Sequence, residues 1–313
     1  MIFTFITDSE KTKFFYEKRD CQNWQPLTLI SRETLDYIEK AGNEGTRNER
    51  FAAYSLLFFA VNEFFGTRII SIIRDENGKP YMGECMASDE NCKPYIDKPM
   101  SKNKKISFSI SHSGGFAAVA ISDEGECGID IQLMPDAERR ERIEKRFLRD
   151  FDFLEAKALK TVKNFYFAEP NERGFDLKEI EVKGSNSSSE VKKIETEENS
   201  FSYLIKKIEA ENNFSSDKNS SSKEKNRGQN EHFPSNHAKI ELLPSNEDSF
   251  LKKWTALEAM MKCSGGGFRN YPLVQEMFDK FEFRYTSLSM ADLRHGATSS
   301  DAHFGISLCT KTR

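Results

Sequence analysis

Residues 106–132 read ISFSISHSGGFAAVAISDEGECGIDIQ. Ile106, Phe108 and Ile110 alternate with Ser107, Ser109 and Ser111, the period-two pattern of a half-buried strand that ends at Ser111-His112-Ser113-Gly114-Gly115. Residues 116–121 predict a second strand, residues 123–126 a turn around Gly125, and residues 127–132 a third strand. On that third strand Asp130 and Gln132 are two residues apart, so both side chains leave one face while Ile129 and Ile131 leave the other. A carboxylate oxygen beside an amide oxygen, joined by a further carboxylate from a helix, would suit Mg²⁺, a hard cation that keeps several waters or phosphate oxygens in its shell.

A helix able to supply that carboxylate lies at 250–268, FLKKWTALEAMMKCSGGGF, where the spacing predicts a helix over 250–263 and a stop at the glycines 265–267. Trp254, Glu258 and Lys262 recur every fourth residue on one face, and Leu251, Leu257 and Met261 fall on a neighbouring apolar one. Two readings stand at this point. The stripe is either an ordinary Glu to Lys pair on a solvated face, worth about 0.2–0.5 kcal/mol, or part of a site.

Taken in order, Gly78-Lys79-Pro80, Ser111-His112, Gly128-Ile129-Asp130-Ile131-Gln132 and the Trp254 to Lys262 helix resemble four motifs of the 4'-phosphopantetheinyl transferases of the larger, surfactin-synthetase-activator type. Those motifs are a Gly-Lys-Pro segment, a Ser-His segment after a strand, a Gly-Ile-Asp-x-Glu strand and a Trp-x-x-Lys-Glu-x-x-x-Lys helix. Residues 143–159 also resemble the family's segment between the last two motifs, and the likeness covers most of 47–160 and 250–275.

The resemblance implies an α+β fold of two pseudo-symmetric α/β halves with the active site in the cleft between them. The halves would be residues 1–127, on the nucleotide side of coenzyme A, and residues 128–313, with the metal and the catalytic helix, interrupted by a low-complexity insertion at about 164–248. It implies a holo-[acyl-carrier-protein] synthase type of enzyme that moves the phosphopantetheine arm of coenzyme A to a serine of an apo acyl or peptidyl carrier protein, in fatty acid, polyketide or nonribosomal peptide biosynthesis, and releases 3',5'-ADP. Mg²⁺ would be held by Asp130, Glu258 and Gln132. Glu258 would take the serine proton, Lys262 would meet a pyrophosphate oxygen, and Arg50, Lys79, Ser111, His112 and Lys262 would bind coenzyme A. Trp254 would pack under the helix and fix its pose. Phe147, Phe151 and Phe153, with Arg146 and Arg149 alongside, would either receive an acidic carrier helix or belong to the core.

Other readings of single residues stay open. Arg47 shares the start of the helix 49–65 with Arg50, and either could be an exposed helix-end arginine. Lys79, presented by the Asn77-Gly78 turn after a strand at 69–73, could be a solvated loop lysine. Two departures from the family pattern are plain. Gln132 stands where an acidic residue is usual, so metal affinity is expected to be reduced, and Leu257 stands where a lysine is common, leaving its work undone or to Lys252 or Lys253. The alternative to the enzyme is a non-catalytic paralogue that binds coenzyme A or a carrier protein.

Composition sets the outer bounds. With 313 residues, 37% hydrophobic, the chain can bury one large core or two small ones. A net charge of −4 gives no general attraction to nucleic acid or anionic membrane, and no segment is long and apolar enough to span a bilayer. The start, MIFTFITDSEK, reads as an edge strand rather than a signal peptide. Six cysteines without metal-ligand spacing read as reduced thiols of a cytoplasmic protein, and a monomer is expected. Residues 211–231 hold Phe214 as their only bulky apolar residue and are expected to stay disordered. A short element is expected at 201–208, and His232 and His237 read as ordinary loop residues. Residues 281–290 and 303–310 alternate as half-exposed strands.

Overall fold

A computed structural model describes residues 1–17, 24–87, 106–149, 162–180, 245–267, 276, 278–293 and 302–311. The chain begins with β1 (Ile2–Asp8), then α1 (Ser9–Glu17), α2 (Gln25–Leu29), α3 (Arg32–Glu39) and the long α4 (Glu44–Phe65). The strands β2 (Thr67–Arg74), β3 (Pro80–Ala87), β4 (Ser107–Ser113), β5 (Phe116–Ser122) and β6 (Cys127–Leu133) follow. After α5 (Ala137–Ile143) come β7 (Phe165–Asn171), β8 (Gly174–Glu179), α6 (Ser245–Ser264), β9 (Phe281–Ser289) and β10 (His303–Lys311). The fold is thus mixed helix and sheet. No described helix is long and apolar enough to cross a membrane.

A five-stranded sheet runs β4-β5-β1-β7-β8, antiparallel except where β1 meets β7, and a three-stranded antiparallel sheet runs β6-β10-β9. Period-two alternation on β1 covers both faces of the larger sheet. Phe3 and Phe5 pack with Phe64 and Phe65 of α4, while Ile6 joins Phe116, Ile129, Ile131, Phe304 and Ile306 between the two sheets. The outer face of the small sheet is closed by α6, through Leu251, Leu257, Phe281 and Phe283. Hence the expected edge strand at the start of the chain is an interior strand: with Thr4 and Thr7 buried as fully as their apolar neighbours, it has no solvent face.

Two further expectations change. The insertion expected at about 164–248 does not begin at 164, because β7 and β8 complete the large sheet, with Phe165, Tyr166, Phe167 and Phe175 buried. Residues 211–231, expected to be disordered, residues 201–208, expected to form a short element, and His232, His237, Phe151 and Phe153 lie outside the described residues. In β4, the serines are not the solvent face of a half-buried strand. Ser107, Ser109 and Ser113 accept hydrogen bonds from the backbone N–H groups of Cys127, Ile129 and Leu133 at 3.3, 3.1 and 3.1 Å, joining the edges of the two sheets by a row of hydroxyls. This row gives β6 the edge partners a bare strand would lack.

Close approach decides where α6 lies. A Cβ on Gly128 would come within 2.0 Å of the Ala259 carbonyl oxygen and 2.6 Å of the Cys263 nitrogen, and one on Gly305 within 2.8 Å of Leu251 Cβ. Only hydrogen at these two positions lets the helix backbone rest on β6 and β10. Thr255 Oγ1 and Ser307 Oγ, 2.7 Å apart, pin the same contact.

Candidate active site

Because α6 sits so close, its carboxylate and ammonium reach β6. Asp130 points from β6 towards the helix and is 1% exposed. Lys262 Nζ donates to Asp130 Oδ1 at 2.7 Å and to Ser111 Oγ at 2.8 Å, and Ser111 Oγ in turn donates to Asp130 Oδ1 at 2.7 Å. Ser111 is therefore the member of the β4 row that serves a side chain instead of a backbone N–H. Glu258, one turn before Lys262, faces the same aspartate. Burial and then the Asp130 charge push its carboxyl up to about 9, against the pull of Lys262 and Arg139. Asp130 Oδ2 is buried without an amine, amide or hydroxyl donor among the described residues, and a hydrogen bond between Asp130 and Glu258 adds to the rise of the Glu258 carboxyl. At neutral pH Glu258 therefore keeps its proton, and the Asp130 charge is balanced by the Lys262 ammonium; only when that proton leaves do two carboxylates share one ammonium in a confined space.

Gln132 follows on the same face, with Nε2 donating to the Leu133 carbonyl at 2.6 Å and to Ser113 Oγ at 3.3 Å, so Oε1 is the atom it could offer a cation. Trp254, the third member of the helical stripe, is buried against Phe147 with ring centroids 5.7 Å apart. Leu257 is fully buried in the cluster between α6 and the small sheet, where a lysine would lose its hydration. Among the described residues no group of three or more His, Cys, Asp or Glu side chains could hold a metal ion. A donor set of two carboxylates and an amide still suits Mg²⁺, which commonly takes one or two protein carboxylates and completes its shell with substrate phosphates. The buried Asp130 Oδ2 beside a second carboxyl group, whose proton the ion would displace, fits such an ion.

Lys262 also lines a cavity of about 300 Å³ together with Tyr37, Arg50, Tyr54, Arg74 and His112. Its charged wall residues are cations. Arg74 is fixed on three sides: Nη2 donates to Tyr54 Oη at 2.8 Å, Nη1 donates to the Gly78 carbonyl at 3.1 Å, and Cζ lies 4.1 Å from the centre of the Tyr37 ring. Arg50 stacks on the same ring at 4.8 Å. Two guanidinium groups held by one aromatic ring form a preorganised anion site. Of the two arginines at this helix start, Arg50 faces the cavity, while Arg47 lies over the Tyr16 ring at 6.0 Å.

Lys79 forms part of the cavity wall but is not a solvated lysine. Its Nζ donates to Glu126 Oε2 at 2.5 Å and to the Cys263 carbonyl at 3.0 Å, capping the end of α6. A larger space of about 660 Å³ opens on its other side between Tyr81, Phe108, Glu126 and Phe281. His112 Nδ1 lies 2.8 Å from Glu49 Oε2. Neither Lys252 nor Lys253 lines the 300 Å³ cavity.

The structure therefore gathers Asp130, Glu258, Lys262 and Ser111 into one cluster and Arg50, Lys79, His112 and Lys262 around one cavity, with Lys262 common to both. Glu49, Tyr37, Tyr54, Arg74 and Arg139 were not legible as site residues. Glu49 and Arg74 carried the only local signals, one next to Arg50 and the other just before the Asn77-Gly78 turn. No known family model matches the chain, and no curated protein matches it.

Proposed function

We propose that the protein is a 4'-phosphopantetheinyl transferase, acting on coenzyme A and an apo carrier protein. The observation that carries the proposal is the meeting of Asp130 and Glu258, 128 positions apart in sequence, around one ammonium at the edge of a cationic cavity. The two halves of the fold are read as α4 on the large sheet and α6 on the small one, with the cleft between them as the place of reaction.

In this reading Arg50, Arg74 and His112 bind the phosphate monoester of coenzyme A, and Lys262 draws its pyrophosphate towards Asp130 and Glu258. Mg²⁺, held by the Asp130 and Glu258 carboxylates and Gln132 Oε1, would neutralise the pyrophosphate and lower the proton affinity of Glu258. Glu258 accepts the proton of the carrier serine as its oxygen forms a bond to the phosphorus that bears the pantetheine arm. The bond from that phosphorus to the bridging oxygen breaks, and 3',5'-ADP leaves with the electron pair, its charge met by Lys262. Gln132 brings a dipole where a second charge is usual, so a higher Mg²⁺ requirement is expected.

Incubation with coenzyme A, Mg²⁺ and a panel of apo carrier proteins tests the reading by mass spectrometry. The expected result is a gain of about 340 Da on a carrier serine, the mass of the transferred arm. Coenzyme A binding with no gain on any carrier would favour the non-catalytic paralogue.

A further inference from the structure

Glu49 has no role in the reaction just described, yet both of its oxygens are committed to the end of β4 and the turn after it. Oε2 meets His112 Nδ1 at 2.8 Å, and Oε1 accepts the Gly115 N–H at 2.9 Å. The pair is half-withdrawn from solvent, with side-chain exposures of 16% for Glu49 and 32% for His112. Burial pushes the Glu49 carboxyl up, but the hydrogen bonds from His112 and Gly115 outweigh it and hold the group below its ordinary value. An ionised carboxylate can only accept, so Nδ1 must carry the hydrogen and Nε2 is the nitrogen left for a ligand.

The cavity explains why such a partner matters. Around His112 stand Arg50 from α4, Arg74 from β2, Lys79 from the β2–β3 turn and Lys262 from α6, all cationic. Among the described residues Glu49 is the carboxylate in contact with the ring. We infer that Glu49 is a positioning residue: it holds His112 with Nδ1 protonated and Nε2 turned to the cavity, as the reader of a phosphate monoester. The inference rests on the proposed use of coenzyme A for the identity of that monoester, but its claim about the ring does not.

Two measurements on the full chain decide it. In a nitrogen-15 spectrum of the imidazoles, with His112 assigned by its loss in His112→Gln, neutral His112 is expected as the Nδ1–H tautomer in the unmodified protein and as a mixture in Glu49→Ala. By calorimetry, Glu49→Ala is expected to weaken coenzyme A about tenfold, as loss of a hydrogen bond to a charged group does, and 3'-dephospho-coenzyme A by less than about twofold. Glu49→Gln, which keeps an acceptor but not the charge, should fall between, and the Glu49→Ala loss should vanish in a His112→Gln background. An Nε2–H tautomer in the unmodified protein, or equal weakening of both ligands, overturns the inference, since a residue that merely braces the Gly115 turn would affect both alike. Failure of the unmodified protein to bind coenzyme A would overturn the proposed function instead, and the tautomer would still decide the role of Glu49.

Discussion

The two long helices bury very different things. On α4, Phe51, Leu56, Leu57, Phe58 and Val61 pack around Trp24, Phe3 and Phe5, and its charged Glu49 is fully hydrogen-bonded. On α6, an apolar face of the same kind seats the helix on the small sheet, but the adjoining stripe presses Glu258 and Lys262 against the nearly inaccessible Asp130. Beyond its first turns, where Glu49 and Arg50 reach His112 and the cavity, the first helix is built for stability. The second holds a carboxyl that burial and a neighbouring aspartate keep from ionising, a cost that stability alone would have removed, as functional sites commonly show.

That contrast is best broken at Lys262. Replacing it by Met leaves Asp130 and Glu258 without their ammonium, and a loss of about 3–5 kcal/mol is expected in urea unfolding, the cost of stranding a buried charge. Gly128→Ala attacks the approach of the helix rather than its charges. The clash with the Ala259 carbonyl and the Cys263 nitrogen is backbone against backbone, so about 1–3 kcal/mol of stability should be lost, and with it the proposed transfer activity.

Glu258→Gln sharpens the comparison in the opposite sense. The folded-state carboxyl titrates near 9 against an ordinary 4.5, so the folded protein holds a proton that the unfolded chain releases, and stability falls as pH rises through that interval. The variant should therefore melt higher than the unmodified protein at pH 8 without metal, by roughly 2–8 °C, while the proposed transfer should fall about 10²–10⁴-fold. A lower melting temperature would mean that Glu258 is not held against its charge.

The smallest effect is expected outside both helices, at Glu169 on β7. Hydrogen bonds from Lys11 and Lys178 draw its carboxyl down to about 2. The stabilisation this gives is present above the ordinary value of 4.5 and lost as pH falls towards 2. The group is partly exposed, so screening limits it: Glu169→Gln should cost no more than about 1 kcal/mol at neutral pH, and the difference should disappear in acid.

Strands and helices at the motifs were legible because periodicity and glycines mark them: β5, β6, β9, β10 and α6 fall where the pattern places them, within a few residues. Sheet order was not legible. Nothing local in IFTFIT distinguishes an edge from a centre, and what makes β1 interior is the arrival of β5 on one side and β7 on the other. The serines of β4 show the same limit. An alternating polar face predicts water, but here the edge of β6 takes its place. Of the residues gathered at the cluster and the cavity, those in motifs stood out in the sequence, whereas Arg139, and for the most part Arg74 and Glu49, owe their places to the folded chain.

The central claim is that Asp130 and Glu258 jointly take a divalent ion together with the pyrophosphate of coenzyme A. Calorimetric titration of coenzyme A with and without Mg²⁺ tests it without requiring the right carrier protein. Binding at least about tenfold tighter with Mg²⁺ is expected, the order of one lost charge contact, with no Mg²⁺ dependence in Asp130→Ala. Equal affinity with and without the ion, or an Asp130→Ala variant that keeps the full Mg²⁺ effect, would contradict it.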